Sequence, residues 1–355
     1  MTDMILKDEE RAVFALRSLY RRYGYAPYKM SRFEEYDLYV RSKDFLVSDQ
    51  IITFSDNSGR LLAMKPDVTL SIVKNAPEAP GVVQKVYYNE NVYRDYREIL
   101  QAGLECVGDL GDYEIGEVVL LAAKSLALLS DTFVLDISHM GLIAAVMDSC
   151  GMTESQKKQA MEWLHRKNIH ELKALWGGSE GWEKLQLLAT SRGGREVLSA
   201  LEPVLTTAEE RQALEELKSL LSILESSGCG DSVRLDFSVG NNMRYYSGVV
   251  FRGYIAGIPA SILSGGQYDR LPRKMGRKSR AIGFAVYVDL LQELQKENRD
   301  FDVDTLILHD GTVSTGELME AVRRAGVQGS VLVSRCLPEG RNWKHLLRLG
   351  KEADQ

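Results

Sequence analysis

The four cysteines, Cys106, Cys150, Cys229 and Cys336, include no C-x-x-C pair, so the chain lacks the spacing of a zinc or dithiol redox motif. They read as reduced, mostly core thiols of a cytoplasmic protein. Histidine is scarce too. The five residues, at positions 139, 165, 170, 309 and 345, show neither H-E-x-x-H nor another ligand spacing, which argues against a structural or catalytic metal. No apolar run reaches the roughly 18 residues that a membrane span needs, and the opening MTDMILKDEERAV is charged and lacks an apolar signal region. Nor is there an excess of basic charge. The net charge of −6 argues against a broad nucleic-acid footprint, which needs a basic face. No internal repeat or low-complexity tract stands out.

What is present is an ordinary globular balance, 45% hydrophobic and 26% charged over 355 residues. That length is enough for one large domain plus one or two small ones, with a core that needs no staples. Apolar positions Val13, Leu16, Leu19, Tyr20 and Tyr23 predict a helix over 8–23, ended by Gly24. A strand-like stretch covers 25–30. Residues 51–64 read as a hairpin turning at Asp56-Asn57-Ser58-Gly59. A helix starts after Pro66, with Asp67 or Thr69 as its cap. Two strands, 82–93 and 98–107, precede a helix over about 113–128.

Residues 140–227 are rich in Ala, Leu, Glu and Lys at helical spacing and read as a helical insertion. Strand patterns return at 233–239, 244–257 and 260–266. A late helix is expected over 283–297, and 303–355 reads β-α-β-α. Antiparallel strands interrupted by a helical block make an α+β arrangement, with a core over 1–300 and a short α/β unit over 301–355.

Three stretches could carry chemistry. On a strand, Gln101, Gly103 and Glu105 share one face, and Leu100, Ala102, Leu104 and Cys106 the other. The first face offers an amide, a gap and a carboxylate, which could cradle a small polar ligand with an ammonium group. An ordinary half-solvated strand shows the same alternation. In Arg244–Phe251, Tyr246 and Gly248 share a face. Ser264–Leu271 reads as a Gly-Gly turn followed by Tyr268 and Asp269, and it lacks the G-x-x-x-x-G-K-[ST] of a phosphate loop.

In this order, the pieces resemble the class II histidyl-tRNA synthetases. Met64-Lys65-Pro66-Asp67-Val68-Thr69 is similar to that family's L-R-P-E-G-T. Val92-Tyr93-Arg94 followed by Gln101-Ala102-Gly103-Leu104-Glu105 resembles motif 2, F-R then Q-x-G-x-E. Tyr245–Phe251 resembles Y-Y-x-x-x-x-F, Gly265–Asp269 resembles G-G-R-Y-D, and Ala281–Ala285 resembles the V-G-F-A of motif 3. The resemblance spans roughly 8–295 and implies an antiparallel class II sheet flanked by helices. It also implies a histidine site of Asp67, Thr69, Arg94, Gln101, Glu105, Tyr246 and Tyr268. Asp67 and Glu105 would take the ammonium, Thr69 and Gln101 would supply hydrogen bonds, and the two tyrosines would wall the imidazole.

The departures from the family pattern concern ATP. Only six residues, Asp95 to Leu100, separate Arg94 from Gln101, where the synthetases carry a long ATP-holding loop. Leu290 stands where motif 3 has a triphosphate-binding arginine, and Asn241 where R-G-L-D-Y-Y has one. Phosphoryl chemistry depends on such cationic clamps. Arg94 is retained, and Arg97 and Arg244 are cations that could substitute. Ser31 replaces the motif 1 proline, and Asp67 is one methylene shorter than the family's glutamate. The tail, 303–355, is short for an anticodon-binding module.

One paralogous family has this pattern, the regulatory subunits of short-form ATP phosphoribosyltransferases. Arg166–Leu175 and Leu187–Leu198 resemble its R-K-D-x-x-x-L-x-x-L and L-x-x-L-x-G-G-x-E-V-L stretches. The resemblance implies a non-catalytic, cytoplasmic subunit without cofactors. It would form a homodimer of its core, assemble with the short catalytic subunit, bind histidine, and engage neither membrane nor nucleic acid. The alternatives are a divergent histidyl-tRNA synthetase and a free-standing histidine-binding protein.

Overall fold

The computed structural model describes residues 6–46, 50–240, 243, 245–292 and 301–350. The chain divides into two compact units, Met1–Gln292 and Glu293–Gln355.

In the first unit, α1 (Asp8–Arg22) buries Val13, Leu16, Leu19 and Tyr20, the apolar stripe expected from spacing, and Gly24 ends it at φ 83°. The stretch expected as a strand over 25–30 yields only β1 (Ala26–Pro27), since proline brings no N–H to a ladder. β2 (Phe33–Glu35) leads into α2 (Tyr36–Arg41). The expected hairpin is β3 (Thr53–Ser55) and β4 (Leu61–Met64), its turn held by Asp56 Oδ1, which accepts from Ser58 N at 2.8 Å. β2, β4 and β3 form a small antiparallel sheet.

The main sheet begins after α3 (Thr69–Asn75) with β5 (Val83–Arg94) and β6 (Arg97–Gly108). α4 (Asp112–Leu129) and β7 (Phe133–His139) follow. The helical insertion holds α5 (Met140–Ser149), α6 (Glu154–His165), α7 (Ile169–Trp176), α8 (Trp182–Thr190), α9 (Arg195–Leu201) and α10 (Ala208–Ser226). Between α8 and α9 it also carries the two-residue β8 (Arg192–Gly193). Thr153, Asn168 and Thr207 each accept a backbone N–H at a helix start, the capping that polar residues before apolar runs predict. Arg192 and Lys167 reach Asp136 and Asp236 of the sheet at 2.9 and 2.7 Å and tie the insertion to it.

The chain returns through β9 (Val233–Asp236), β10 (Val249–Ile255), β11 (Leu263–Gln267), α11 (Arg270–Lys274) and β12 (Arg280–Tyr287). Among the described residues the sheet runs β1-β5-β6-β12-β11-β10-β7-β9-β8, antiparallel except for β1 with β5 and β7 with β9. This is the α+β, class II type of architecture that the sequence predicts. α1 and α4 pack against the sheet and are joined by the Tyr20 hydroxyl and Ser125 Oγ at 3.0 Å.

Three further local expectations fail. Residues 283–287 belong to strand β12 rather than a late helix. Phe284 pairs with both Gly265 and Leu104, so ladder bonds on two sides override a helical reading. The turn that follows is a single 3-10 turn, Val288–Leu291, and 293–297 lie outside the described residues. The Gly265-Gly266 pair is inside β11, not in a turn. A Cβ on either would overlap a neighbouring strand, so these glycines permit close approach. Third, the second unit reads β13 (Val303–His309), α12 (Thr315–Ala325), β14 (Val331–Ser334) and β15 (Trp343–Leu349), ending in a strand. β15 pairs in parallel with β13 from Val303↔Trp343 to His309↔Leu349, which takes its apolar residues into the sheet order β14-β13-β15.

Candidate functional site

β6 builds one wall. Its alternation places Gln101, Gly103 and Glu105 on one face, yet neither face meets water: Gln101 and Glu105 are 3% and 2% exposed. The polar face closes over a cavity of about 470 Å³. A half-solvated strand is therefore excluded at these positions, and the polar face of the strand lines the cavity.

Glu105 is fixed from two directions. Thr69, first residue of α3, donates from Oγ1 to Glu105 Oε1 at 2.6 Å, and the Tyr268 hydroxyl donates to Oε2. Gly283 faces Glu105 across the β6–β12 ladder, and a Cβ there would overlap Oε2. A glycine opposite is what makes room for this carboxyl. Burial pushes Glu105 up to about 8, against the lowering effect of the Thr69 and Tyr268 hydroxyls, and the Asp67 carboxyl adds to the rise. That shift favours the protonated acid at neutral pH.

Asp67 precedes α3. Its Oδ1 accepts from Leu70 N at 2.9 Å, the capping role expected of it, and its Oδ2 lies 3.6 Å from Arg94 Nη2. Burial raises the Asp67 carboxyl, and Arg94 and the helix N–H groups partly offset this. Arg94 in turn donates from Nε to the Pro66 carbonyl at 2.6 Å. The end of β5 is thus bound to the segment that starts α3.

Aromatic rings close another side. Tyr245 lies 4.7 Å from Tyr246 and 5.7 Å from Tyr268 between centroids, with Phe45 5.8 Å from Tyr245. Tyr246 precedes β10 rather than lying on it with Gly248, since the strand begins at Val249. Tyr268 is positioned by its N–H to the Ala281 carbonyl at 2.8 Å, and its neighbour Asp269 accepts from Ala281 N at 3.0 Å.

All seven predicted residues, Asp67, Thr69, Arg94, Gln101, Glu105, Tyr246 and Tyr268, line this one cavity. Sequence reasoning missed Tyr88, Arg252 and the Ser264–Tyr287 pair, whose oxygens are 3.0 Å apart. Arg252 had a signal: in β10 it shares a face with Val250, and it is the only charge in that strand. Tyr88 had none, because its place depends on pairing with Gly103. Two carboxyls, Asp67 and Glu105, and two guanidinium groups, Arg94 and Arg252, face the same space. That mixture suits a small zwitterion with an aromatic or planar side chain. Among the described residues no group of His, Cys, Asp and Glu is placed to hold a metal ion.

The family model described as histidyl-tRNA synthetase matches residues 3–291. The chain belongs to the histidyl-tRNA synthetase family. Curated relatives within reach of it carry a further name. An "ATP phosphoribosyltransferase regulatory subunit" from Acetivibrio thermocellus is 26% identical over 335 residues, covering 88% of this chain and 80% of the relative. A crystal structure of an ATP phosphoribosyltransferase regulatory subunit/histidyl-tRNA synthetase from Bacillus halodurans superposes with TM-score 0.73 at 25% identity, over 96% of this chain and 93% of the other. A chain of the ATP phosphoribosyl transferase (HisG:HisZ) complex from Thermotoga maritima shares the fold, with TM-score 0.62 at 18% identity over 79% and 97% of the two chains.

Where the resemblance leads one to expect the synthetases' long motif 2 loop, this family member has a two-residue turn. Arg94 pairs with Arg97, and only Asp95 and Tyr96 lie between. Leu290 sits half-buried in the 3-10 turn after β12, while Asn241 and Arg244 lie outside the described residues.

Gly283→Ala should lower the unfolding free energy by about 1–3 kcal/mol, because the added methyl overlaps Glu105. An unchanged urea midpoint would show that β12 yields without cost. The raised Glu105 carboxyl has its own signature. Folded, it holds its proton more tightly than in the unfolded chain. Its stabilising contribution is therefore full at low pH and is lost as pH rises from about 5 to about 8. Glu105→Gln should flatten that part of the stability–pH curve, and an identical slope in the variant would refute the assignment.

Proposed function

We propose that this chain is the non-catalytic regulatory subunit of an ATP phosphoribosyltransferase, acting at the first step of histidine biosynthesis and reporting histidine to the catalytic subunit. One observation carries the reading: the seven residues expected to grip histidine line one cavity, beside a hairpin that ends in two residues. That combination fits recognition of an amino acid without the loop that would hold ATP. The names borne by relatives over most of the chain support the same partner.

Histidine occupies the cavity as a zwitterion. Glu105 and Asp67 face its N–H groups, Arg94 and Arg252 its carboxylate, and Tyr246 and Tyr268 its ring. Glu105 must give up its proton to pair with a cation, so binding near neutral pH releases a proton. Feedback requires two assembly states that bind histidine unequally, and a coupling of about 1–3 kcal/mol changes the partner's behaviour several-fold to a hundredfold.

The test is a reconstituted complex assayed for phosphoribosyl-ATP formation. The catalytic subunit should be more active with this chain than without it, and histidine should inhibit the pair. Glu105→Gln should weaken histidine binding at least tenfold, losing a charge-assisted bond in a desolvated site. The isolated chain should show no histidine-dependent ATP–pyrophosphate exchange. Exchange at a synthetase-like rate, or inhibition untouched in Glu105→Gln, would sink the sensor role.

The core forms a homodimer in this reading, as the family resemblance implies and as two-fold assembly favours. Ser31 is compatible with an extended entry to β2, its Oγ accepting from Phe33 N at 3.3 Å. Light scattering should give a dimer at micromolar concentration, and a monomer would refute it.

A further inference from the structure

The β5–β6 hairpin ends in a turn that its own sequence does not favour. Asp95 and Tyr96 are the two loop residues, at φ 49° and 61°. A turn with both central residues left-handed is ordinarily built from Asn-Gly or Asp-Gly. Aspartate tolerates that region, but a bulky aromatic there is a conformational outlier. The fold gains no packing in return, because Tyr96 is 80% exposed. A strained residue that does nothing for the interior points outward, to something the turn must meet.

The arm that carries Tyr96 is stiff and well placed. β5 and β6 pair without interruption from Val83↔Gly108 to Arg94↔Arg97. Arg97, exposed, stands next to Tyr96, and tyrosine and arginine are the residue types that anchor protein interfaces. The root of the same hairpin is the cavity wall. Arg94, immediately before the turn, is buried against Asp67 and the Pro66 carbonyl, and Glu105 lies on the returning strand. A load on the tip therefore reaches a group that lines the amino-acid cavity within one residue.

We propose that Tyr96 is the anchor by which this chain docks on the catalytic phosphoribosyltransferase subunit, its ring entering an apolar pocket there with Arg97 beside it, and that Arg94 links that contact to the cavity. This rests on the regulatory-subunit reading and names the surface that would carry it. The strained turn supplies its own control. The double variant Asp95→Asn/Tyr96→Gly restores the favoured turn, so it should raise the melting temperature, by about 2 °C, while weakening the assembly. Stability and docking move in opposite directions, which a merely structural role for Tyr96 cannot produce.

The measurement is calorimetric titration of the catalytic subunit with the full chain, wild type and variants. The double variant should bind at least tenfold more weakly and need correspondingly more protein for activation. Tyr96→Phe should bind within about threefold of wild type, and histidine binding to each isolated chain should be unchanged. Undiminished affinity in the double variant overturns the proposal, as does a lower melting temperature, which would make Tyr96 a support of the fold. If the wild-type chain itself does not bind the catalytic subunit, the regulatory-subunit reading fails and this inference with it. If the wild type binds and the variant binds equally, only the docking role of Tyr96 fails.

Discussion

A single buried carboxyl organises this molecule. Glu105 could not stay in the sheet's interior unaided, since an isolated charge there is heavily penalised. Three separate parts of the chain answer that constraint: Thr69 at the head of α3, Tyr268 after β11, and Gly283 on β12, which withholds a side chain. With its proton retained, the group is tolerable in that interior. With a partner cation it becomes an acceptor whose strength grows because water is excluded.

Much of this was legible from residue order, for identifiable reasons. The insertion over 140–227 announced itself because its helices carry their own caps and periodic apolar positions, which are local properties. The alternation of Gln101, Gly103 and Glu105 was equally local. That both faces of β6 are buried was not, because it depends on β12 and β11 arriving from more than 150 residues away. The same cause explains the misread glycines. Gly265-Gly266 is a turn signal by composition, yet in β11 those positions serve close approach of Phe284 and Tyr246. Phe284 and its neighbours read as helical until two ladders are set beside them. Residues 343–349 likewise become a strand only beside β13.

That the seven named residues line one cavity was legible because the resemblance to the synthetases carried their positions, not because their spacing demanded a pocket. Tyr88 escaped because its place depends on its cross-strand partner Gly103, whereas Arg252 was there to be found as the only charge in β10. Arg252 matters most. With Arg94 already engaged by Asp67 and the Pro66 carbonyl, it is the second guanidinium on the cavity wall, and it makes the site as cationic as it is acidic.

A sensor differs from an enzyme in what it must not do. An enzyme gains from groups that stabilise a transition state more than the ground state, whereas a sensor needs only ground-state binding that differs between two assemblies. The cavity-lining groups come from several elements, and Glu105 of β6 is held by Thr69 of α3 and Tyr268 after β11. The two-residue turn leaves little chain at the hairpin tip with which to fold over a nucleotide. Among the described residues Glu105 is held by Thr69 and Tyr268, so a short connection at the hairpin tip leaves those bonds in place. A two-residue turn sets the hairpin tip one residue from Arg94, and Arg94 is bound to Asp67 and the Pro66 carbonyl, so the tip and the cavity wall lie on one uninterrupted ladder.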